Sequence, residues 1–228
     1  MHSEIAKYID HTLLNPGATK AEVTKLCDEA KENNFFAVCV NPHYVKQAVK
    51  ELSSSKVAVA TVIGFPLGAN LTDVKVAEAQ RAIAEGAEEL DMVINIGLLK
   101  DGELQAVEDD IQAIVKVAKP QDIKVKVIIE ADLLTDEEKV NATKACMKAG
   151  AHFVKTSTGF VKDGKGATVE DVKLIKETLG TAPLAIKASA GIRDYEKAKA
   201  LIDAGATRLG TSAGVAIVKG AQAVPAGY

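Results

Sequence analysis

The sequence has no tryptophan, and phenylalanine and tyrosine together make up only 4% of it. A core without large rings must be filled by smaller aliphatic groups, and hydrophobic residues are plentiful at 47%. Ala, Val, Ile and Leu dominate them, which suits strands covered by helices on both faces. Cysteine is equally scarce. Cys27, Cys39 and Cys146 are far apart and never form a C-x-x-C pair, which excludes a disulfide framework and points to reduced thiols in a cytoplasmic protein. No apolar run approaches the roughly 20 residues of a membrane helix. Met1-His2-Ser3-Glu4 lacks the charged start and apolar stretch of a secretion signal.

Basic charge forms no stripe. Lys and Arg number 28 against 31 Asp and Glu, a net charge of −3, so neither a nucleic acid nor a membrane surface is an expected partner. An anionic ligand would need local positive charge, because the global field does not supply it. The four histidines, His2, His11, His43 and His152, are scattered. No H-x-x-x-H, G-x-G-x-x-G or G-x-x-x-x-G-K-[ST] pattern is present, so the expectation is no metal and no nucleotide cofactor.

What is present is alternation. Short β-branched runs at Tyr8–Thr12, Phe36–Val40, Val57–Ile63, Leu90–Ile94 and Val125–Ile129 are separated by Ala/Lys/Glu-rich helical patterns. Two lysine-bearing runs and Thr207–Gly210 complete a series of eight. Thr19 with Glu22 and Thr135 with Glu138 have capping-box spacing, and Thr72 and Thr168 are further candidate caps. Glu85-Gly86-Ala87, Ala149-Gly150-Ala151 and Ala204-Gly205-Ala206 place a glycine just past a helix end. Eight β-α units without a composition break predict α/β architecture, a single-domain (β/α)₈ TIM barrel over residues 1–218. Residues 219–228, ending in Tyr228, read as a flexible tail. The runner-up, an open doubly wound sheet, would show a glycine-rich nucleotide loop after its first strand.

The two lysine runs share a form. Phe153-Val154-Lys155-Thr156-Ser157-Thr158-Gly159 and Ala185-Ile186-Lys187-Ala188-Ser189-Ala190-Gly191 both read apolar, apolar, Lys, x, Ser, x, Gly. Neighbouring strands lie roughly 4.8 Å apart, so the two amines would fall within about 6 Å of one another and each would release its proton more readily. A neutral lysine amine attacks carbonyl carbon. The bland alternative is a pair of lysines snorkelling to solvent.

Parity separates the two readings. In the fourth strand Leu90, Met92 and Ile94 suit the helix layer, which sends Asp91 into the barrel. The same logic turns Lys155, Lys187, Cys39 and the set Lys126, Ile128 and Glu130 inward. Asp10 is a second inward acid, as readily a lysine partner as a direct participant. Gly191-Ile192-Arg193-Asp194 and Gly210-Thr211-Ser212-Ala213-Gly214 are glycine turns after the last two strands, where barrels often hold phosphate on backbone N–H groups.

These motifs, together with Ile9-Asp10-His11-Thr12-Leu13-Leu14, Val38-Cys39-Val40-Asn41-Pro42 and Gly64-Phe65-Pro66-Leu67-Gly68, resemble the deoxyribose-phosphate aldolase family nearly end to end. The resemblance implies a metal-independent class I aldolase that reversibly cleaves 2-deoxy-D-ribose 5-phosphate to acetaldehyde and D-glyceraldehyde 3-phosphate. It implies that Lys155 forms the Schiff base, that Lys187 lowers its pKa and that Asp91, supported by Asp10, relays protons through water. Thr156, Gly159, Gly191, Arg193, Gly210 and Ser212 would hold substrate and its phosphate, with Cys39 nearby, and Tyr228 would fold back to exchange a proton. A homodimer or homotetramer is expected. One position departs from the family pattern: Ala190 stands where a glycine is usual, and its methyl would weaken phosphate binding while tolerating unphosphorylated aldehydes. The alternatives are another Schiff-base aldolase of transaldolase type and a non-catalytic sugar-phosphate-binding barrel.

Overall fold

A computed structural model describes residues 3–220, so Tyr228 and the expected tail from residue 221 onward lie outside the described residues. Eight strands run in chain order: β1 (Ile9–Leu13), β2 (Ala37–Val40), β3 (Ala58–Ile63), β4 (Glu89–Val93), β5 (Lys124–Ile128), β6 (Phe153–Lys155), β7 (Ala185–Ser189) and β8 (Arg208–Thr211). Every neighbouring pair is parallel, and β8 closes onto β1. The α/β barrel read from the sequence is therefore the fold of the described chain. The first lysine run ends as a strand at Lys155 itself, which places that amine at the carboxyl end of the barrel.

The helices are α1 (Lys20–Asn33), α2 (Val45–Leu52), α3 (Thr72–Ala84), α4 (Ile96–Lys100), α5 (Leu104–Ala118), α6 (Asp136–Ala149), α7 (Val169–Leu179), α8 (Tyr195–Ala204) and α9 (Gly214–Lys219). Both expected capping boxes form, at Thr19 with Glu22 and at Thr135 with Glu138. Thr168 caps α7 by accepting from the Asp171 N–H at 3.0 Å. Thr72 does not cap. It is the first helical residue of α3, and its hydroxyl donates to Asp110 at 2.8 Å. Gly150, at φ 77°, takes the left-handed turn that ends α6 and leads into β6.

Leu90, Met92 and Ile94 are wholly buried between the strands and the helix layer, as their parity requires. A smaller apolar group inside the barrel joins Leu14, Cys39, Ala60 and Val62, with Phe65 against it. The inner wall is thus divided. The side built on β2 and β3 is aliphatic, while β1 and β4 to β8 turn charged side chains to the axis.

The helix layer contains a buried charge of its own. Lys75 on α3 is fully buried, and its ammonium donates to the Val93 carbonyl at 3.0 Å and to Asp110 of α5 at 2.7 Å. This pair ties two helices to the carboxyl end of β4. Removing one partner of a buried pair leaves an uncompensated charge, so Asp110→Ala is expected to cost about 3–5 kcal/mol. Urea unfolding measures it, and a loss below about 1 kcal/mol would show that the strap carries no weight.

Candidate active site

Strand register sets Lys155 level with Lys187 across β6 and β7, and Lys187 level with Arg208 across β7 and β8. β4 and β5 align Asp91 with Lys126. Seven charged side chains consequently meet on the axis. Lys155 and Lys187 both donate to Asp91 Oδ2 at 2.8 Å, and Lys126 donates to Asp91 Oδ1 at 2.7 Å. The two twin amines are therefore no farther apart than two hydrogen bonds through one shared oxygen.

The three lysines differ in how many carboxylates hold them. Lys187 also contacts Asp10 at 2.5 Å, and Lys126 also contacts Glu89 at 2.5 Å. Among the described residues Lys155 has Asp91 alone. Burial acts to lower the pKa of all three. For Lys187 the attraction of Asp10 and Asp91 outweighs it, and the pKa is raised. Lys126 is likewise raised, against its burial, by Asp91, Glu89 and Asp10. For Lys155 burial wins, the repulsion from Lys187 adds to it, and Asp91 does not compensate, so its pKa is lowered. The sequence-based expectation that both twins lose protons readily therefore holds for one only. Repulsion is mutual, but Asp10 answers it at Lys187.

Both acids stay ionised against their own burial. Asp91 is held well below the usual carboxylate range by Lys126, Lys155 and Lys187. Asp10 is lowered by Lys187, Lys126 and Arg208. Arg208 binds Asp10 at 2.9 Å and Glu89 at 2.8 Å. In the ion-paired cluster three carboxylates (Asp10, Glu89, Asp91) face four cations (Lys126, Lys155, Lys187, Arg208). Of the four cations, Lys155 is the one whose proton is least firmly held.

Above the cluster lies a cavity of about 80 Å³. Lys155 reaches it from below, while Gly159, Gly191, Arg193, Gly210 and Ser212 line its walls. Lys155 is 3% exposed, whereas Lys187, Asp91 and Asp10 are at 0% and lie beneath it. The backbone N–H groups of Gly191 and Ser212 donate to no acceptor among the described residues, which leaves them for an anion. Asp194 caps α8 by accepting from the Lys197 N–H at 2.8 Å, and Arg193 forms no ion pair among the described residues and is exposed. Gly210 is needed beneath the cavity, since a Cβ there would stand 2.9 Å from Ser189 Cβ and 3.0 Å from Lys187 Cε.

Two expected residues do not line this cavity. Thr156 is buried in the β6–β7 joint, where its hydroxyl faces Ser189 O at 3.3 Å and accepts from Ser189 N–H at 3.1 Å. Cys39 belongs to the aliphatic half of the inner wall, and burial pushes its thiol up to about 11. Tyr228 is outside the described residues. Sequence reasoning missed Glu89 and Arg208, and it noted Lys126 only by parity. Applying parity to every strand would have turned Glu89 and Arg208 inward as well.

The segment after β6 is held in place. Glu130, at φ 57°, accepts from the Thr158 N–H at 3.1 Å and from its hydroxyl, and burial raises its pKa despite those bonds. Asp132 accepts from the N–H groups of Lys165 at 3.0 Å and Gly166 at 2.9 Å. Gly166 then lies so close to Ala190 that a Cβ would stand 2.4 Å from its carbonyl oxygen.

What fold and cavity define together is a class, the barrel aldolases, lyases in which an amine at a strand end meets a carbonyl. The chain belongs to the DeoC/LacD family of aldolases, whose family model matches residues 4–220. A Thermococcus gammatolerans protein named deoxyribose-phosphate aldolase is 58% identical over 221 residues, 96% of this chain and 97% of the relative. One of the same name from Bdellovibrio bacteriovorus is 56% identical and covers 99% of this chain and 100% of the relative. Among solved structures, the tetrameric deoxyribose phosphate aldolase from Aeropyrum pernix superposes with a TM-score of 0.89 at 35% identity, covering 96% of this chain and 91% of that chain.

Ala190 lines the cavity at φ 71°, a left-handed conformation in a residue that has a Cβ. That conformation costs roughly 1–2 kcal/mol, against about 0.5–1 kcal/mol of extra backbone entropy for glycine. Ala190→Gly is expected to raise stability by up to about 1 kcal/mol and to tighten binding of inorganic phosphate. Denaturant midpoints and phosphate titration check the two parts, and unchanged phosphate affinity would remove the methyl as an obstacle.

Proposed function

We propose that the protein reversibly cleaves 2-deoxy-D-ribose 5-phosphate to acetaldehyde and D-glyceraldehyde 3-phosphate through a Schiff base on Lys155. The observation that carries this reading is that Lys155 combines access to the cavity with a loosened proton. Its neutral amine attacks the aldehyde carbon of the open-chain sugar, and the carbinolamine loses water to give an iminium. The iminium draws in the electrons of the C2–C3 bond as the 3-hydroxyl gives up its proton. Glyceraldehyde 3-phosphate leaves, the enamine takes a proton at C2, and water releases acetaldehyde.

Asp91 stays ionised among three ammonium groups, which suits it to pass protons through water rather than retain one. Lys187, kept charged by Asp10, repels a proton on Lys155 and lies close enough to steer proton transfer. The turns at Gly159 and Gly191 and the end of β8 at Gly210, with Arg193 and Ser212, receive the phosphate on backbone N–H groups and local positive charge. The family resemblance adds Tyr228 as a proton-exchange partner and Cys39 and Thr156 as wall residues.

Incubation with acetaldehyde and borohydride should leave one ethyl adduct, mapped to Lys155 and lost in Lys155→Leu. Lys187→Leu should slow turnover by about a hundredfold or more, and a chelator should leave it unchanged. An adduct on Lys187, or on neither lysine, would sink the assignment.

The Aeropyrum pernix relative is tetrameric, and a homodimer or homotetramer is proposed here too. Leu67 and Leu71, each 72% exposed, and Val74 present an apolar surface after β3 that suits burial between copies. Light scattering should give a multiple of 24.0 kDa; a monomeric mass at micromolar concentration would remove the proposal.

A further inference from the structure

The barrel opens a second time at its opposite end. A cavity of about 1040 Å³ at the amino-terminal face is lined by Phe36, His152, Phe153, Glu89 and Arg208. Glu89 and Arg208 thus belong both to this mouth and to the ion-paired cluster beneath Lys155. The Arg208 guanidinium stacks 3.5 Å over the Phe36 ring and is bound to Glu89 through both terminal nitrogens, at 2.8 Å and 3.2 Å. Neither residue reaches the cavity where the carbonyl would bind, and the proposed chemistry uses neither.

A barrel interior is ordinarily filled by branched apolar side chains. A buried ion cluster is no more stable than such packing and is often less so. The placement of this pair points to another role. Two chains of contacts lead from it to the reacting amine. Glu89 holds Lys126, which holds Asp91 Oδ1; Arg208 holds Asp10, which holds Lys187, which shares Asp91 Oδ2 with Lys155.

We infer that Glu89 and Arg208 are positioning residues that set the proton affinity of Lys155 from the far end of the barrel. The inference rests on the aldolase reading of Lys155. The groups facing that amine are Asp91 from β4, Lys187 from β7, Cys39 from β2, and Glu130 just past β5, while Lys126 from β5 stands on the other oxygen of Asp91. Asp10 on β1 and Arg208 on β8 stand behind them. Removing the negative charge of Glu89 leaves the neighbouring cations less opposed and makes Lys155 release its proton more readily. Removing the positive charge of Arg208 lowers the local positive potential and lets Lys155 keep its proton. Two neighbours at one mouth therefore act in opposite directions, which packing alone would not produce.

The test is the pH dependence of acetaldehyde trapping by cyanoborohydride, followed as adduct formation by intact mass. The pH of half-maximal trapping should fall by about one unit in Glu89→Gln and rise by about one unit in Arg208→Gln. Glu89→Asp and Arg208→Lys, which keep the charge, should leave that midpoint in place. If one neutral variant fails to fold, the other decides alone. Unmoved midpoints with lowered rates, or shifts of the same sign in both variants, overturn the inference while leaving the aldolase reading intact. No adduct in the unmodified protein would overturn the aldolase reading, and the inference with it.

Discussion

One carboxylate, that of Asp91, is shared by three lysine amines, and most of the barrel's interior can be derived from that sharing. An isolated carboxylate in this position would be neutral, since desolvation of a charge costs far more than any packing gain. Three isolated ammonium groups would lose their protons for the same reason. Together Asp91, Lys126 and Lys187 remain charged, provided that β4, β5, β6 and β7 keep their register, while Lys155 holds its proton less firmly. The sharing is unequal. Lys126 and Lys187 each have a further acid, whereas among the described residues Lys155 has only its half-share of Asp91 Oδ2. A nucleophile arises here from a deficit of counter-charge rather than from a special group placed beside it.

The divided inner wall follows from the same constraint. A ring of charge on all eight strands would demand more acids than the axis can hold without repulsion among them. The aliphatic wall on β2 and β3 instead gives the cluster a dry border, where Cys39 behaves as a small hydrophobe rather than as a thiol. A dry border strengthens every charge interaction beside it. Gly210 performs a similar task in space, clearing the room that the Lys187 side chain occupies.

Much of this arrangement is legible in the amino-acid sequence. Outside the two lysine runs, which extend past the ends of β6 and β7, the runs locate the strands to within a residue of their ends, because strand and helix differ in periodicity over short windows. Parity turns Asp91, Lys155 and Lys187 to the same axis. The unequal fates of Lys155 and Lys187 are not legible, because they depend on Asp10, which is far from Lys187 in sequence and beside it only after the barrel closes. Arg208 and Glu89 escape for the same reason. Parity would place both on the axis, but their ion pairs with one another, with Lys126 and with Asp10 exist only once the barrel closes. Thr72 shows the reverse limit: a good cap residue is diverted by a partner, Asp110, that local spacing does not reveal.

Asp132 has a consequence for how the enzyme meets its substrate. By fixing the Lys165 and Gly166 amides, it presses the segment after β6 against the Ala190 carbonyl, and Glu130 ties down the start of the same segment through Thr158. The cavity wall is consequently assembled before anything binds. A ligand entering it forfeits little chain entropy to order that wall, but neither can the wall reshape itself around a poor fit. A wall fixed in advance selects its ligand by exclusion, as a cast mould does, so changing its fit would mean carving side chains rather than loosening the loop.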